Sequence, residues 1–580
     1  MYPSEVSAAS EKVSAATVRS TASKYLPFSP VFISRALIVI ALLSQIIVAW
    51  RFWYLTWDDA AITLGFARTF ALTGKIEPTP GSGIVEGYST TLWMLLMAIA
   101  AKFAVTPSAL LVVAKVSTLL LNLANILLMR RWFLTWTTET IANLVAGSVG
   151  CGLMFYETIN GMETPLILTL VLVMLLLFPR PGRAARLGYL LTGSAFLLIR
   201  WEAAWLLVPF VLVEFKAELS TKFNTGRNRR RALLSAITWL TVFLVSNLAR
   251  WQYFGSILPN TIIAKRGIPY TTPIRSIEIH RHLQDPIFIL ASSKILVIVV
   301  IAGLLYDRFV LKRPGSLSEI FRSSYRNSWQ LRFALLFTVF SLILTAAIGT
   351  NWGPQARSFY PAWPFLFGLL LLPLSQLRTR TLAWATAALC VFALLRMTVR
   401  VQELKAYQAP VYMPRTTVSR FETVASVLSD IESASHHSHL VYAGPDMGAV
   451  MLFTHGVQVI DLGLLCDSFL ARTRYTAINS YVLQQRQPDV IEVHENWTQL
   501  ANLEAYPLFF RHYRPVYVHG IRTFLDRNLI ESIDSARLSE KPFQPDGRPD
   551  NSELQQNSLL KYTNLDLRLN KDFGTYLVLN

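Results

Sequence analysis

An acidic pair, Asp58-Asp59, stands directly after the first long apolar run of the chain, and further ionisable residues gather at the ends of later runs: Glu86, Glu163, Arg200, Glu202, Lys265, Arg266 and Arg357. Ionisable groups beside hydrocarbon are costly, and they face a cavity or a partner. A carboxylate in such a place can take a proton from a hydroxyl. Guanidinium and ammonium groups can hold a phosphate through charge-assisted hydrogen bonds. The set suits chemistry on an anionic, lipid-linked substrate. Each residue also has a simpler use. Acids in the first turn of a helix complement its dipole, which applies to Asp58, Asp59 and Glu163. Lys265 and Arg357 can meet anionic lipid headgroups, Arg200 and Glu202 can pair across a tight turn, and Asn260 can cap a helix.

The elements that must position these groups belong to a membrane protein. The 580 residues are 53% hydrophobic and only 16% charged, with mean hydropathy +0.39. Soluble domains carry about 25% charge. This composition excludes an ordinary cytosolic enzyme and a disordered chain, and three cysteines exclude a disulfide framework. Cys151 and Cys390 fall inside apolar runs as packing residues. The net charge of +18 is spread as short arginine clusters between apolar runs. That is the pattern of cytosolic loops, not of a nucleic-acid surface.

Hydropathy predicts spans at 33–53, 108–129, 140–156, 163–179, 187–199, 203–215, 232–250, 287–305, 332–349, 359–377 and 381–398. The apolar run 89–106 is assigned to the outer interface, because counting it as a span would put Arg130-Arg131 outside. With that choice Arg130/Arg131, Arg180/Arg183/Arg186, Arg227/Arg229/Arg230/Arg231, Lys312/Arg313 and Arg378/Arg380 share the inner side. The expected fold is a polytopic α-helical membrane protein of about eleven spans in a cytoplasmic (inner) membrane. It comprises a disordered cytosolic tail (1–32), a membrane domain (33–400) with an outer loop (54–107), and an extracytoplasmic α/β domain (401–580). In that last domain 439–443, 457–460 and 489–493 read as buried strands, and 417–434 and 466–485 as helices.

Several stretches, in order, resemble the bacterial GT-C membrane glycosyltransferases, closest to the subgroup that includes the mycobacterial terminal arabinofuranosyltransferase. They are Asp58-Asp59-Ala60…Ala67-Arg68 and Val85-Glu86-Gly87-Tyr88-Ser89-Thr90. Gly161-Met162-Glu163-Thr164-Pro165-Leu166 and Arg200-Trp201-Glu202 follow. Next come Tyr253…Pro259-Asn260-Thr261…Ala264-Lys265, Gly353…Arg357…Pro361, Asp446-Met447-Gly448-Ala449 and Val459-Ile460-Asp461-Leu462-Gly463. The resemblance spans roughly residues 30–500. Ser89-Thr90 stands where Thr-Asn is usual and Trp201 where Pro is usual, differences that bear on sugar and acceptor preference.

The resemblance implies transfer of a monosaccharide from a polyprenyl-phosphate donor to a hydroxyl of a cell-envelope glycan or lipid acceptor, among membrane lipids and without nucleic acid. It implies that Asp58 or Asp59 is the base and that Lys265 and Arg357 meet the donor phosphate. Glu86, Tyr88, Glu163, Arg200, Glu202, Asn260, Asp446 and Asp461 are then substrate-side residues. No residue set is assigned to a metal, and a divalent ion is left open as cofactor. No phosphate-cradling Gly-rich loop is present, which argues against a nucleotide-sugar donor. The rival from another class is a transporter or flippase of lipid-linked sugars, which would be expected to carry internal repeats and polar groups near the bilayer midplane.

Overall fold

A computed structural model describes residues 29–104, 106–219, 225–266, 275–312, 328–349, 356–406, 418–544 and 564–580. The predicted tail up to residue 28, and Arg313 of the basic loops, lie outside the described residues. Among the described residues, seven helices are long and apolar enough to cross a membrane. They are Pro30–Arg51, Pro107–Phe133, Arg230–Phe254, His282–Val310, Trp329–Ile348, Arg357–Gln376 and Thr379–Ala406. Each coincides with a predicted span.

The other four predicted spans are shorter. With helices labelled in chain order, α1 is Pro30–Arg51, α2 Asp58–Thr73, α3 Thr91–Ala101 and α4 Pro107–Phe133. Then α5 is Glu139–Gly150, α6 Phe155–Ile159, α7 Thr164–Leu177, α8 Arg183–Ile199, α9 Ala203–Leu219 and α10 Thr225–Phe254. The short α11 is Asn260–Lys265, and α12 is Arg275–Leu305, α13 Trp329–Ile348, α14 Trp363–Leu371 and α15 Thr379–Ala406. At a rise of 1.5 Å per residue, α7 is only about 21 Å long. The predicted span 140–156 is broken after α5. There Gly152 adopts φ +117°, and a Cβ on it would lie 3.2 Å from Arg400 Cγ.

Side-chain ties at the helix ends show that the passes alternate. At one end Arg35 and Arg130 both pair with Glu139, at 2.8 and 2.9 Å, joining α1, α4 and α5. Arg186 pairs with Glu214 at 2.6 Å, joining α8 to α9, and Thr381 donates to Asp307 at 3.1 Å. The described basic clusters lie at this end. At the other end Lys115 donates to Leu55 O at 2.6 Å, Arg200 and Arg357 reach Glu163, and Val418 N–H donates to Tyr54 O at 3.0 Å. The helix α3 packs on α2 and exposes Leu96, Ile99 and, just beyond it, Phe103, as an interfacial helix does.

A buried polar layer near the second end fixes register, because unsatisfied polar groups there would be expensive. Asn122 donates to Thr158 Oγ1 at 2.8 Å and accepts from the Tyr360 hydroxyl at 2.6 Å. These bonds hold α4, α6 and the 3-10 turn Arg357–Ala362 together, and Arg357 begins that turn.

Beyond α16 (Val418–Ser435) the chain forms one seven-stranded mixed sheet. Its strands are β1 Val441–Gly444, β2 Gln458–Asp461, β3 Val490–Ile491, β4 Tyr513–Val518, β5 Ile521–Asp526, β6 Leu538–Pro542 and β7 Thr575–Leu579. Their order is β2-β1-β3-β5-β4-β7-β6. The first three match predicted strands. The last four were not predicted: β4 (YRPVYV), β5 (IRTFLD) and β6 (LSEKP) interleave charged residues or proline with apolar ones, while β7 (TYLVL) has a strand-like pattern that the prediction omits. The predicted helix 466–485 is three pieces: an α-turn Ser468–Thr473, a 3-10 turn Arg474–Ala477 and a π-helix Ile478–Arg486.

The helix α17 (Gly448–Phe453) docks the sheet domain onto α2. A Cβ on Gly65 would lie 2.6 Å from Met451 Cβ, so the two helices cross with no room for a side chain. Arg68 donates to Leu452 O and Thr454 O at 2.9 Å each, satisfying carbonyls at the end of α17.

Candidate active site

The site is built where α2 begins. Lys115, fully buried, donates to the carbonyls of Trp53 and Leu55, and this pins the turn that delivers Asp58 and Asp59. The two carboxylates occupy the first turn of α2, where the helix dipole favours an acid. They point to different partners. Asp58 Oδ1 accepts from Gly448 N–H at 2.7 Å. Asp59 Oδ2 lies 3.7 Å from Arg357 Nη1 and is 44% exposed.

Asp58 is crowded but still partly exposed. Burial raises its proton affinity well above that of an ordinary carboxylate, the negative charges of Asp446 and Asp59 add to the rise, and the Gly448 amide opposes it. A carboxylate whose proton affinity is raised in this way is a stronger proton acceptor in its ionised form.

Glu163 lies behind Asp59 and is fully buried. Arg200 donates to it at 3.1 Å, and Arg357 at 3.0 and 3.3 Å. Arg200 Nε also stands 2.7 Å from Glu202. Glu163 therefore orients two guanidinium groups and has no surface for a substrate. Burial lowers the proton affinity of Lys265, with Asp59 working against that and Arg200 and Arg357 adding to it. Arg200, Trp201, Glu202, Thr261, Lys265 and Arg266 line a cavity of about 300 Å³. Asp58, Asp59, Glu163 and Arg357 are not among its lining residues.

Glu86 and Tyr88 belong to a second, larger cavity of about 550 Å³. Glu86 is buried, with Arg250 bonded to both its oxygens at 2.6 and 3.1 Å. Burial raises its proton affinity, against the pull of Arg250. The Tyr88 hydroxyl is buried without a hydrogen-bond partner among the described residues. Leu197, Leu198 and Phe243 supply an apolar wall, and Trp201 lines both cavities. The Trp201 indole donates to Asn247 at 3.2 Å.

Three predicted site residues do structural work. Asn260 donates its amide to the carbonyls of Leu464, Leu465 and Asp467 at 3.3, 2.8 and 3.3 Å, bracing α11 on the sheet domain. It does not cap α11, whose N-cap is Pro259. Asp461 accepts from the amides of Gly463 and Cys466 at 2.6 Å each, holding the loop after β2. Asp446 is 3.0 Å from His494 Nε2 and neighbours Asp58 electrostatically.

Sequence reasoning did not single out Arg250, Glu157, Glu492 or His494. Arg250 had a legible signal, an arginine at the end of a predicted span on the side poor in basic clusters. Glu157 is buried near Arg357 inside what read as continuous span. Among the described residues no group of three or more His, Cys, Asp or Glu could hold a metal ion.

Gly448 offers a first test. A Cβ there would sit 2.5 Å from both the Asp58 carbonyl and its Oδ1. Gly448→Ala is expected to displace Asp58 and lower turnover at least about tenfold, since errors near 1 Å cost on that order or more. The variant should still elute as a single species on gel filtration. Unchanged turnover would detach Asp58 from the chemistry.

The apo structure of the Archaeoglobus fulgidus oligosaccharyltransferase superposes with a TM-score of 0.51 at 12% identity, covering 93% of this chain and 82% of that one. The chain shares the fold of that structure. Two structures of ArnT from Cupriavidus metallidurans also align: the apo state (TM-score 0.48, 13% identity, 86% of this chain and 99% of that one) and the undecaprenyl-phosphate-bound state (0.47, 12%, 80% and 93%). No protein-family profile matches the sequence, and no curated protein matches it.

Proposed function

We propose that the chain is a membrane glycosyltransferase that moves a monosaccharide from a polyprenyl-phosphate donor to a hydroxyl of a cell-envelope glycan or lipid. One observation carries this reading: Arg200 and Lys265 line a charged cavity that adjoins a larger apolar one, Asp59 and Arg357 act electrostatically on Lys265, and Asp58 stands beside Asp59 in the first turn of α2. A phosphate fits the first and a lipid body the second.

In the reaction, Asp58 takes the acceptor hydroxyl proton. The acceptor oxygen forms a bond to the anomeric carbon as the carbon–oxygen bond to the phosphate breaks. The electron pair leaves on the phosphate, which Arg357 and Lys265 stabilise. Asp59 faces Arg357 and helps to set that cation's position. Glu163 fixes Arg200 and Arg357 from behind.

The motif order favours a donor of the type used by terminal arabinofuranosyltransferases, so a polyprenyl-phosphate-linked pentose is the first donor to try. The side carrying the sheet domain is assigned to the extracytoplasmic face of a cytoplasmic membrane, because the described basic clusters lie at the opposite end.

Purified protein in detergent, given polyprenyl-phosphate donors with labelled sugar, should move label from the lipid to an acceptor. A protein that carries the lipid across vesicles and leaves the sugar on it would be a transporter. Trp201→Ala merges the two cavities and is expected to raise KM for the lipid substrate about tenfold, the equivalent of 1.4 kcal/mol, with a smaller change in kcat. An unchanged KM would place the lipid elsewhere.

A further inference from the structure

A partly buried chain of polar groups in the sheet domain takes no part in the steps proposed for sugar transfer. Asp446, between β1 and α17, has φ +52°. Aspartate is among the few non-glycine residues that adopt this left-handed conformation readily, here at the turn that leads into α17. The His494 ring stands between two carboxylates, with Nε2 3.0 Å from Asp446 Oδ2 and Nδ1 3.0 Å from Glu492 Oε1. The other oxygen of Glu492 accepts from the Tyr442 hydroxyl at 2.6 Å. An imidazole that donates at both nitrogens is a cation. Two residues beyond Asp446, the Gly448 amide meets Asp58.

We propose that His494 is a positioning residue for Asp58: as an imidazolium clamped by Asp446 and Glu492, it holds the Asp446-Met447-Gly448 turn against the head of α2 and balances the negative charge that Asp58 faces. The proposal rests on the reading of Asp58 as the base. Burial works against protonation of His494, but Glu492 and Asp446 outweigh it and raise the imidazole to about 9.

The groups facing each partner set the sign of the test. Asp58 is faced by Asp446 and Asp461 from the sheet domain and by Asp59 on its own helix, with Cys466 beyond. His494 is faced by Asp446 and Glu492. A base works in its ionised form, so turnover falls as pH drops through the affinity of the Asp58 cluster. Removing the imidazolium leaves more negative charge and moves that acid limb to higher pH. Removing the Asp446 charge moves it to lower pH.

The test is the pH profile of kcat for the full-length protein in detergent with a labelled polyprenyl-phosphate sugar. His494→Gln should lower kcat at least tenfold, leave donor KM within twofold and move the acid limb up. Asp446→Asn should move the limb down, and His494→Lys, which keeps a cation, should return it toward wild type. Limbs that move the same way in His494→Gln and Asp446→Asn, or that do not move, overturn the clamp. So does a rise in donor KM at constant kcat.

A second readout needs no turnover. In protein labelled at histidine, the His494 resonance should titrate well above the ordinary value of about 6.5 and drop in Asp446→Asn. Titration at the ordinary value overturns the clamp even if every donor fails. Failure of every donor with the raised titration intact overturns the glycosyltransferase reading and leaves the clamp standing.

Discussion

Asp58→Asn is expected to lower kcat for sugar transfer by about 10²–10⁴, the usual contribution of a positioned general base. The substitution keeps the shape, and the amide oxygen can still accept from Gly448 N–H at the 2.7 Å site. Donor binding should therefore survive, because Arg357, one of the two cations that meet the phosphate, is anchored on Glu163. The wild-type profile should lose activity as pH falls through a value well above the ordinary carboxylate range, since burial and the neighbouring acids favour the protonated form. Asp59→Asn should behave differently. Asp59 faces Arg357 at 3.7 Å, so its loss should raise donor KM more than it lowers kcat. A steady-state comparison of both variants with wild type decides the assignment. Normal turnover in Asp58→Asn would remove it from the mechanism, and collapse of kcat in Asp59→Asn alone would exchange the two roles.

Glu163→Ala is the second large effect. Glu163 is fully buried and is bonded by two guanidinium groups, Arg200 and Arg357. Truncation leaves both cations without their shared counter-charge. Removing one partner of a buried pair typically costs about 3–5 kcal/mol. The variant should melt earlier in detergent and lose most of its transfer activity. Glu163→Gln keeps the acceptor oxygen and the volume, so it should lose less stability while still weakening the hold on Arg357. Thermal unfolding with parallel activity assays separates the cases. A Glu163→Ala protein with native melting temperature and native KM would show that Arg200 and Arg357 are held by something else.

These expectations depend on different amounts of sequence information. The seven long spans were legible because hydropathy reports local burial in lipid, and a run of apolar residues needs no partner to be recognised. The short length of α3, 11 residues, was legible only indirectly, through the charge balance that kept Arg130-Arg131 with the other basic loops. The convergence of Asp58, Asp59, Glu163, Arg200, Lys265 and Arg357 followed from their common place at the ends of runs on one side. The strands β4 to β6 were not legible, because their apolar positions are broken by charges and proline that only pairing between strands accommodates, whereas β7 (TYLVL) carries a legible strand pattern that the prediction omits.

Composition, hydropathy and charge asymmetry by themselves determined a multi-span membrane protein with its ionisable residues at one face, because those properties depend on the solvent each segment meets. Only the tertiary structure decided which groups touch. It turned Asp58 to Gly448 and Asp59 to Arg357, although they are adjacent in sequence. It withdrew Glu163 behind two arginines, gave Asn260 and Asp461 to backbone amides and carbonyls, and brought His494 to Asp446 across 48 residues. Hydrogen bonds and ion pairs act over about 3–4 Å, and sequence separation carries no information at that range until the helices and the sheet have packed.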